Sequence, residues 1–111
     1  MDQAGVVTTA QLLDGGLTRR VIARLASSWE QPCKGIHITG PKSWTATAWA
    51  GLLKGGDRAT LGGQAAAFLH AALRDAPEIV EVWTPGARTG FTVGAWHVDF
   101  RRGSRTSMGR P

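Results

Sequence analysis

GLTRRVIARLASSW, residues 16–29, is the stretch of sequence that most constrains the fold. At the helical step of roughly 100° per residue, its apolar side chains fall on one arc, namely Val21, Ile22, Leu25, Ala26 and Trp29. The opposite arc is polar and basic, interrupted only by Ala23, and carries Arg19, Arg20, Arg24, Ser27 and Ser28. Thr18 is suited to the N-cap because its hydroxyl can accept from a first-turn amide. The stretch predicts an amphipathic helix from Thr18 to Ser28, which either enters a DNA groove or simply faces solvent.

A second helix signal lies immediately upstream. Thr8 and Gln11 have the capping-box spacing, in which the hydroxyl and the amide each satisfy a backbone group of the first turn. We expect this helix to end near Asp14, because Gly15 and Gly16 follow. Two short helices joined by a tight glycine-containing turn are typical of a helix-turn-helix.

The segment after Trp29 has the pattern of a small β-ribbon. Pro32 and Gly35 disfavour a helix, whereas Ile36 and Ile38 alternate with polar residues at period two. A turn is expected near Lys34. A ribbon that directly follows a helix-turn-helix predicts a winged helix, with Lys34 placed to contact DNA phosphates.

The remainder of the chain predicts a small mixed unit. Its expected elements are a helix capped by Ser43, a short strand, an alanine-rich helix buried on most sides and two strands, at residues 44–54, 59–61, 64–73, 78–84 and 91–100. Residues 85–90 are of types that favour turns. The last two strands are therefore expected to form a hairpin or to be neighbours in a sheet. Tryptophans 29, 44 and 49 are assigned to the core, and tryptophans 83 and 96 to sheet packing.

The predicted fold class is therefore α+β, with an N-terminal winged helix-turn-helix followed by a small partial α/β unit. We divide the chain into a DNA-binding domain over residues 1–41, a partial α+β unit over 42–100 and a basic disordered tail over 101–111. The tail carries Arg101, Arg102, Arg105 and Arg110 and no acid.

Composition favours an anionic partner. The chain has 111 residues, a formal net charge of +5 and a pI near 10.7, values that favour nucleic acid. Cys33 is the single cysteine, so an intrachain disulfide is excluded. The sequence contains neither a signal-peptide pattern nor an apolar run of membrane-spanning length, so we expect a cytoplasmic protein without membrane contact.

Candidate catalytic and metal-binding residues are few. Cys33 and His37 lie four apart, but in a ribbon this spacing does not converge, and no further ligand lies nearby. His70 is expected at the edge of the core, and His97 and Asp99 on a strand surface. The sequence therefore predicts no enzyme activity, no metal site and no cofactor.

Three segments resemble the N-terminal domain of AbiEi-type antitoxins, the transcriptional regulators of type IV toxin–antitoxin systems. They are VVTTAQLL at 6–13, GLTRR at 16–20 and KGIHI at 34–38. The helices near 45–53 and 62–73 and the VWTP strand at 82–85 are similar to the second part of such proteins. The resemblance covers the chain to about residue 100.

The resemblance implies a repressor that binds inverted repeats in the promoter of its own operon, which also encodes a cognate toxin. A homodimer is expected, because helix-turn-helix proteins commonly pair on two half-sites. The resemblance assigns Thr18, Arg19, Arg20 and Arg24 to the recognition helix and Lys34 to the wing, and Ser27 joins them from the basic face. The chain departs from the family pattern in two places: His37 replaces an aromatic, and Pro32-Cys33 replaces a position that is often basic. Both changes predict that the wing binds DNA more weakly.

The chain also stops where relatives continue, which implies a truncated member of the family. Two other functions stay open. One is a protein-interaction module whose helix face binds an acidic partner, and the other is a non-catalytic fragment of a DNA-targeting, nuclease-like protein.

Overall fold

The structure is a computed structural model that describes residues 3–70, 74–86 and 88–102. Its elements are two short N-terminal helices, a central helix, a fourth helix and two sheets, in the order β1 (Val6–Thr8), α1 (Thr9–Asp14), α2 (Arg19–Ala26), β2 (Glu30–Cys33), β3 (Ile36–Ile38), α3 (Trp44–Gly55), β4 (Thr60–Leu61), α4 (Gly63–Leu69), β5 (Ile79–Thr84), β6 (Phe91–Val93) and β7 (Trp96–Arg102). The predicted α+β class is confirmed at this level. Among the described residues, no helix combines the length and apolar character needed to cross a membrane.

The start of α1 follows the predicted capping box. The Gln11 amide N–H donates to the Thr8 hydroxyl at 3.0 Å, and the Gln11 side chain accepts from the Thr8 amide at 3.0 Å. The helix ends where Gly16 adopts φ +101°, a left-handed conformation open to glycine. The amides of Gly16 and Leu17 then donate to the carbonyls of Leu13 and Leu12. This pair of bonds is the Schellman pattern of helix termination.

Helix α2 begins as predicted and ends earlier than predicted. The Thr18 hydroxyl accepts from the Val21 amide at 3.2 Å. The Ser27 and Ser28 hydroxyls donate to the carbonyls of Arg24 and Leu25 at 2.8 and 3.0 Å. Serine hydroxyls that compete for helix carbonyls favour termination, and the helix stops at Ala26 instead of Ser28.

The first sheet has the order β1-β3-β2 and is antiparallel throughout. It confirms the predicted ribbon, with Gly35 at φ +83° in the turn. Because successive strand residues point to opposite faces, Ile36 and Ile38 share one face and His37 takes the other. Ile36 and Ile38 belong to the same hydrophobic cluster as Trp44 of α3, whereas His37 packs against Trp29, just after α2.

Helix α3 joins the two halves of the molecule. Ser43 caps it by accepting from the Ala46 amide at 3.0 Å, and it packs on both sheets. One hydrophobic cluster contains Val6 and Ile38 from before residue 41 together with Val80 and Val98 from after it. The core is therefore continuous across the position where we divided the chain.

The second sheet has the order β4-β5-β7-β6, with β5 and β7 parallel. The strands predicted over residues 78–84 and 91–100 were expected to form a hairpin or to be neighbours in a sheet. They are neighbours in one sheet, and because β5 and β7 are parallel they do not form a hairpin. The single strand predicted over residues 91–100 is wrong, because Gly94 adopts φ +58° and a tight turn splits the segment into β6 and β7.

Two smaller predictions also need correction. In α4 only Ala65 is buried and Leu69 is 59% exposed, so the helix is not covered on most sides. Strand β7 continues through Arg102 because it extends the ladder along β5, so the prediction that Arg101 and Arg102 belong to the disordered tail is wrong. The remaining tail, residues 103–111, and residues 71–73 of the predicted helix lie outside the described part of the chain.

Candidate nucleic-acid interface

The exposed face of α2 carries Arg19, Arg20 and Arg24, all of which face solvent. Within residues 3–70, 74–86 and 88–102, no salt bridge or side-chain hydrogen bond engages their guanidinium groups. Arg20 and Arg24 lie one helical turn apart and therefore project from the same side. Their donors are available for an external acceptor.

Thr18 and Ser27 lie at the two ends of this face, where both hydroxyls already serve the backbone. Thr18 accepts from the Val21 amide, and Ser27 donates to the Arg24 carbonyl. Thr18 can still donate a hydrogen bond, and Ser27 can still accept one. Their first role is to define the ends of α2, which sets the direction in which the arginines project.

Lys34 is exposed at the turn between β2 and β3. Its carbonyl accepts from the Lys54 ammonium at 3.3 Å. The neighbouring Gly35 carbonyl accepts from the Thr9 amide at 2.9 Å. Thr9 and Arg19 also line the groove between α2 and the first sheet. The N-terminal ends of α1 and α2 therefore lie on the side of the ribbon turn.

His37 takes a position that the sequence did not indicate. It is only 3% exposed, its Nε2 lies 3.0 Å from the Thr9 hydroxyl, and its ring centroid is 5.7 Å from that of Trp29. Its Nδ1 is buried without a hydrogen-bond partner among the described residues. The side chain supports the underside of α2 and does not lie on the exposed wing. His37 therefore contributes to the packing beneath α2.

Burial lowers the pKa of His37 below the ordinary value of 6.5, because a charged imidazole loses its hydration there. The unfolded chain therefore binds a proton at higher pH than the folded chain does. We expect the free energy of unfolding to fall as pH decreases below about 6.5 and the His37 contribution to be constant above it. Urea titrations of the wild type and His37→Gln between about pH 5 and 8 measure this, and the substitution should flatten the profile.

His97 provides the matched control, because it is exposed and also contacts a hydroxyl, with Nδ1 3.1 Å from Thr92 Oγ1. His97→Gln controls for the loss of an imidazole at an exposed position. Equal flattening by both substitutions would contradict the assignment to His37.

A second group of cations was missed in the sequence because its members are far apart along the chain. Lys54 lies at the end of α3, and Arg88 Nε donates to its carbonyl at 3.1 Å. Arg58 and Arg88 line one shallow depression beyond α3. We name the group Lys34, Lys54, Arg58 and Arg88 the cationic ridge.

Cys33 is half-buried beside the ridge. Desolvation raises the pKa of its thiol, and the positive charge of Lys54 partly offsets this effect. A protonated thiol is a poor nucleophile and a poor metal ligand. Across the described ranges, no three His, Cys, Asp or Glu side chains are grouped so that they could hold a metal ion.

Compared with models of protein families, with curated protein sequences and with solved structures, the chain shows no significant match.

Proposed function

We propose that this protein is a sequence-specific DNA-binding regulator of the winged-helix type. In this proposal α1 and α2 form the helix-turn-helix, α2 enters the major groove, and the β2–β3 ribbon is the wing. The observation that carries the proposal is the exposed face of α2. Its three arginines have no salt-bridge or side-chain hydrogen-bond partner within the part of the chain that the structure describes. The order β1-β3-β2, which places the ribbon in a supported sheet, is consistent with it.

The chemistry of the contacts follows from the geometry of α2. Recognition helices contact base edges mainly through their N-terminal residues, and Arg19 and Arg20 occupy those positions. Arginine can donate two parallel hydrogen bonds to guanine O6 and N7. Lys34 and Arg24 would then contact phosphates, which set the register without reading sequence. Ile22 of α2 is buried, and this contact fixes the direction in which the arginine face of the helix points.

The biological role proposed from the family resemblance is repression of its own operon as an antitoxin-like regulator. A homodimer would bind an inverted repeat whose half-sites lie about one helical turn, or roughly 34 Å, apart. Such a protein acts by occupying the promoter. Its cognate toxin would be encoded in the same operon.

The test is a titration of labelled duplex DNA from the region upstream of the gene against a random duplex of equal length. We expect the upstream duplex to bind more tightly at every salt concentration. Arg20→Ala should weaken specific binding about tenfold, since a good base contact contributes about 1–3 kcal/mol. The matched control is Arg101→Ala, because Arg101 already pairs with Asp99 at 2.9 Å.

Two results would contradict the proposal. Equal affinity for both duplexes would remove sequence-specific recognition, and an unchanged affinity in Arg20→Ala would remove α2 as the reading element. If no DNA binds, a protein-interaction module becomes the better function. The observations in its favour are that Leu25 of α2 is 41% exposed and that helix α1 has no buried residue.

A further inference from the structure

The cationic ridge is assembled by hydrogen bonds between three separate parts of the chain. The Lys54 ammonium donates to the Lys34 carbonyl at 3.3 Å, and Arg88 donates to the Lys54 carbonyl at 3.1 Å. These bonds tie the ribbon turn, the end of α3 and the loop after β5 into one surface. A Lys54 ammonium has three donors, so the bond to Lys34 leaves others for an external acceptor.

Two open depressions follow this surface. One, of about 450 Å³, lies between the ribbon and the loop after β5 and is lined by Lys54, Arg88 and Thr89. The other, of about 310 Å³, lies beyond α3 and is lined by Arg58, Arg88 and Asp57. Both are open to solvent, so an extended chain has access to the cations that line them.

The charge balance of the ridge is strongly positive. It has four cations, and Asp57 lines the second of these depressions. Two cations away from the ridge are paired with acids: Lys42 has Glu30 at 3.9 Å, and Arg101 has Asp99 at 2.9 Å. Arg102 lies near the ridge, because it is the register partner of Thr84, whose hydroxyl donates to the Gly55 carbonyl at the end of α3.

Helix stability explains only part of this arrangement. A cation at a helix C-terminus interacts favourably with the helix dipole, which accounts for Lys54 and for the Arg88 bond to its carbonyl. Neither Lys34 nor Arg58 lies within α3, and both side chains are exposed. The helix dipole therefore does not account for these two exposed cations.

We infer that the cationic ridge is a second phosphate-binding surface, which holds the DNA backbone next to the site read by α2. The inference rests on the proposed DNA-binding function. Lys34 belongs to both surfaces, and Thr9 connects the ribbon turn to the N-terminal end of α2. The ridge contributes affinity without base recognition, because phosphates are the same in every sequence.

The salt dependence of binding to a random duplex tests the ridge. Each neutralised phosphate adds about −0.9 to the slope of log K against log salt. The double variant Lys54→Gln/Arg58→Gln should therefore reduce the steepness of the slope by about 1.8. It should weaken binding to the upstream and random duplexes by the same factor. Lys54→Arg, which retains the charge, should restore most of the contribution of Lys54.

Lys42→Gln is the matched control, since Lys42 pairs with Glu30 and lies close to Gly94, at the opposite end of β7 from Arg102. It should leave the slope unchanged. An unchanged slope in the folded double variant, as verified by circular dichroism, would overturn the ridge while DNA binding by α2 stands. A different result would separate the two proposals. If the wild type binds both duplexes equally and the double variant has a less steep salt dependence, the ridge is supported and sequence-specific regulation is wrong. If the wild type binds neither duplex, both proposals are wrong.

Discussion

Trp44→Ala is expected to lower the free energy of unfolding by about 3–5 kcal/mol, the range for removing a large aromatic from a core. Trp44 is 6% exposed at the start of α3, and its ring meets Phe68 edge-on with centroids 4.7 Å apart. It belongs to the cluster that contains residues of both sheets. Since whole domains have about 5–15 kcal/mol of stability, this loss should be visible in urea unfolding followed by far-UV circular dichroism.

Trp44→Phe separates packing from polarity at the same position. The Trp44 Nε1 is buried and lacks a hydrogen-bond partner among the described residues. An unsatisfied buried donor costs about 1–3 kcal/mol, and phenylalanine removes it while filling most of the space. We expect Trp44→Phe to be far less destabilising than Trp44→Ala. Equal losses for the two variants would contradict this account, as would a loss below about 1 kcal/mol for alanine.

Gly51→Val is expected to destabilise the protein by about 1–3 kcal/mol, the range for adding atoms to a packed core. A Cβ at Gly51 would lie 2.9 Å from Val82 Cγ2 and 3.1 Å from Val98 Cγ1. Both valines are fully buried, and their branched side chains have little rotamer freedom. Helix α3 would have to move away from β5 and β7, which opens the core. Urea titration at constant pH measures the change.

The sign of this effect is diagnostic. In a solvent-exposed helix, replacing glycine by an ordinary residue is favourable, because glycine has the lower helix propensity by several tenths of a kcal/mol. A stabilising Gly51→Val would therefore mean that α3 does not contact the second sheet closely. Gly15→Ala is the control, since its Cβ would meet nothing nearer than 3.4 Å, and it should have little effect.

The local structure of the N-terminal half could be predicted from its sequence with good detail. The Thr8 and Thr18 caps, the stop at Gly15-Gly16 and the turn beside Lys34 are all present. Each depends on hydrogen bonds or backbone angles within a few residues, so a short window of sequence contains the cause. The C-terminal half was predicted less well, because the split at Gly94 and the parallel pairing of β5 with β7 depend on which strands meet.

The candidate site divides in the same way. Arg19, Arg20 and Arg24 could be assigned to one face from helical periodicity alone. The burial of His37 could have been inferred from its alternation with Ile36 and Ile38, but only with knowledge that α2 covers the opposite face of the sheet. The cationic ridge gave no signal in the sequence, since Lys34, Lys54 and Arg88 come from separate elements.

The sequence by itself determined where the helices of the N-terminal half begin, how α1 ends and which residues of α2 face outward, because these features arise from contacts between near neighbours along the chain. Only the tertiary structure decided that α3 serves both sheets, that Gly51 must lack a side chain and that His37 lies beneath α2. It also assembled the cationic ridge. The physical reason is that burial and charge clustering depend on which distant segments pack together, and the spacing of residues along the chain does not contain that information.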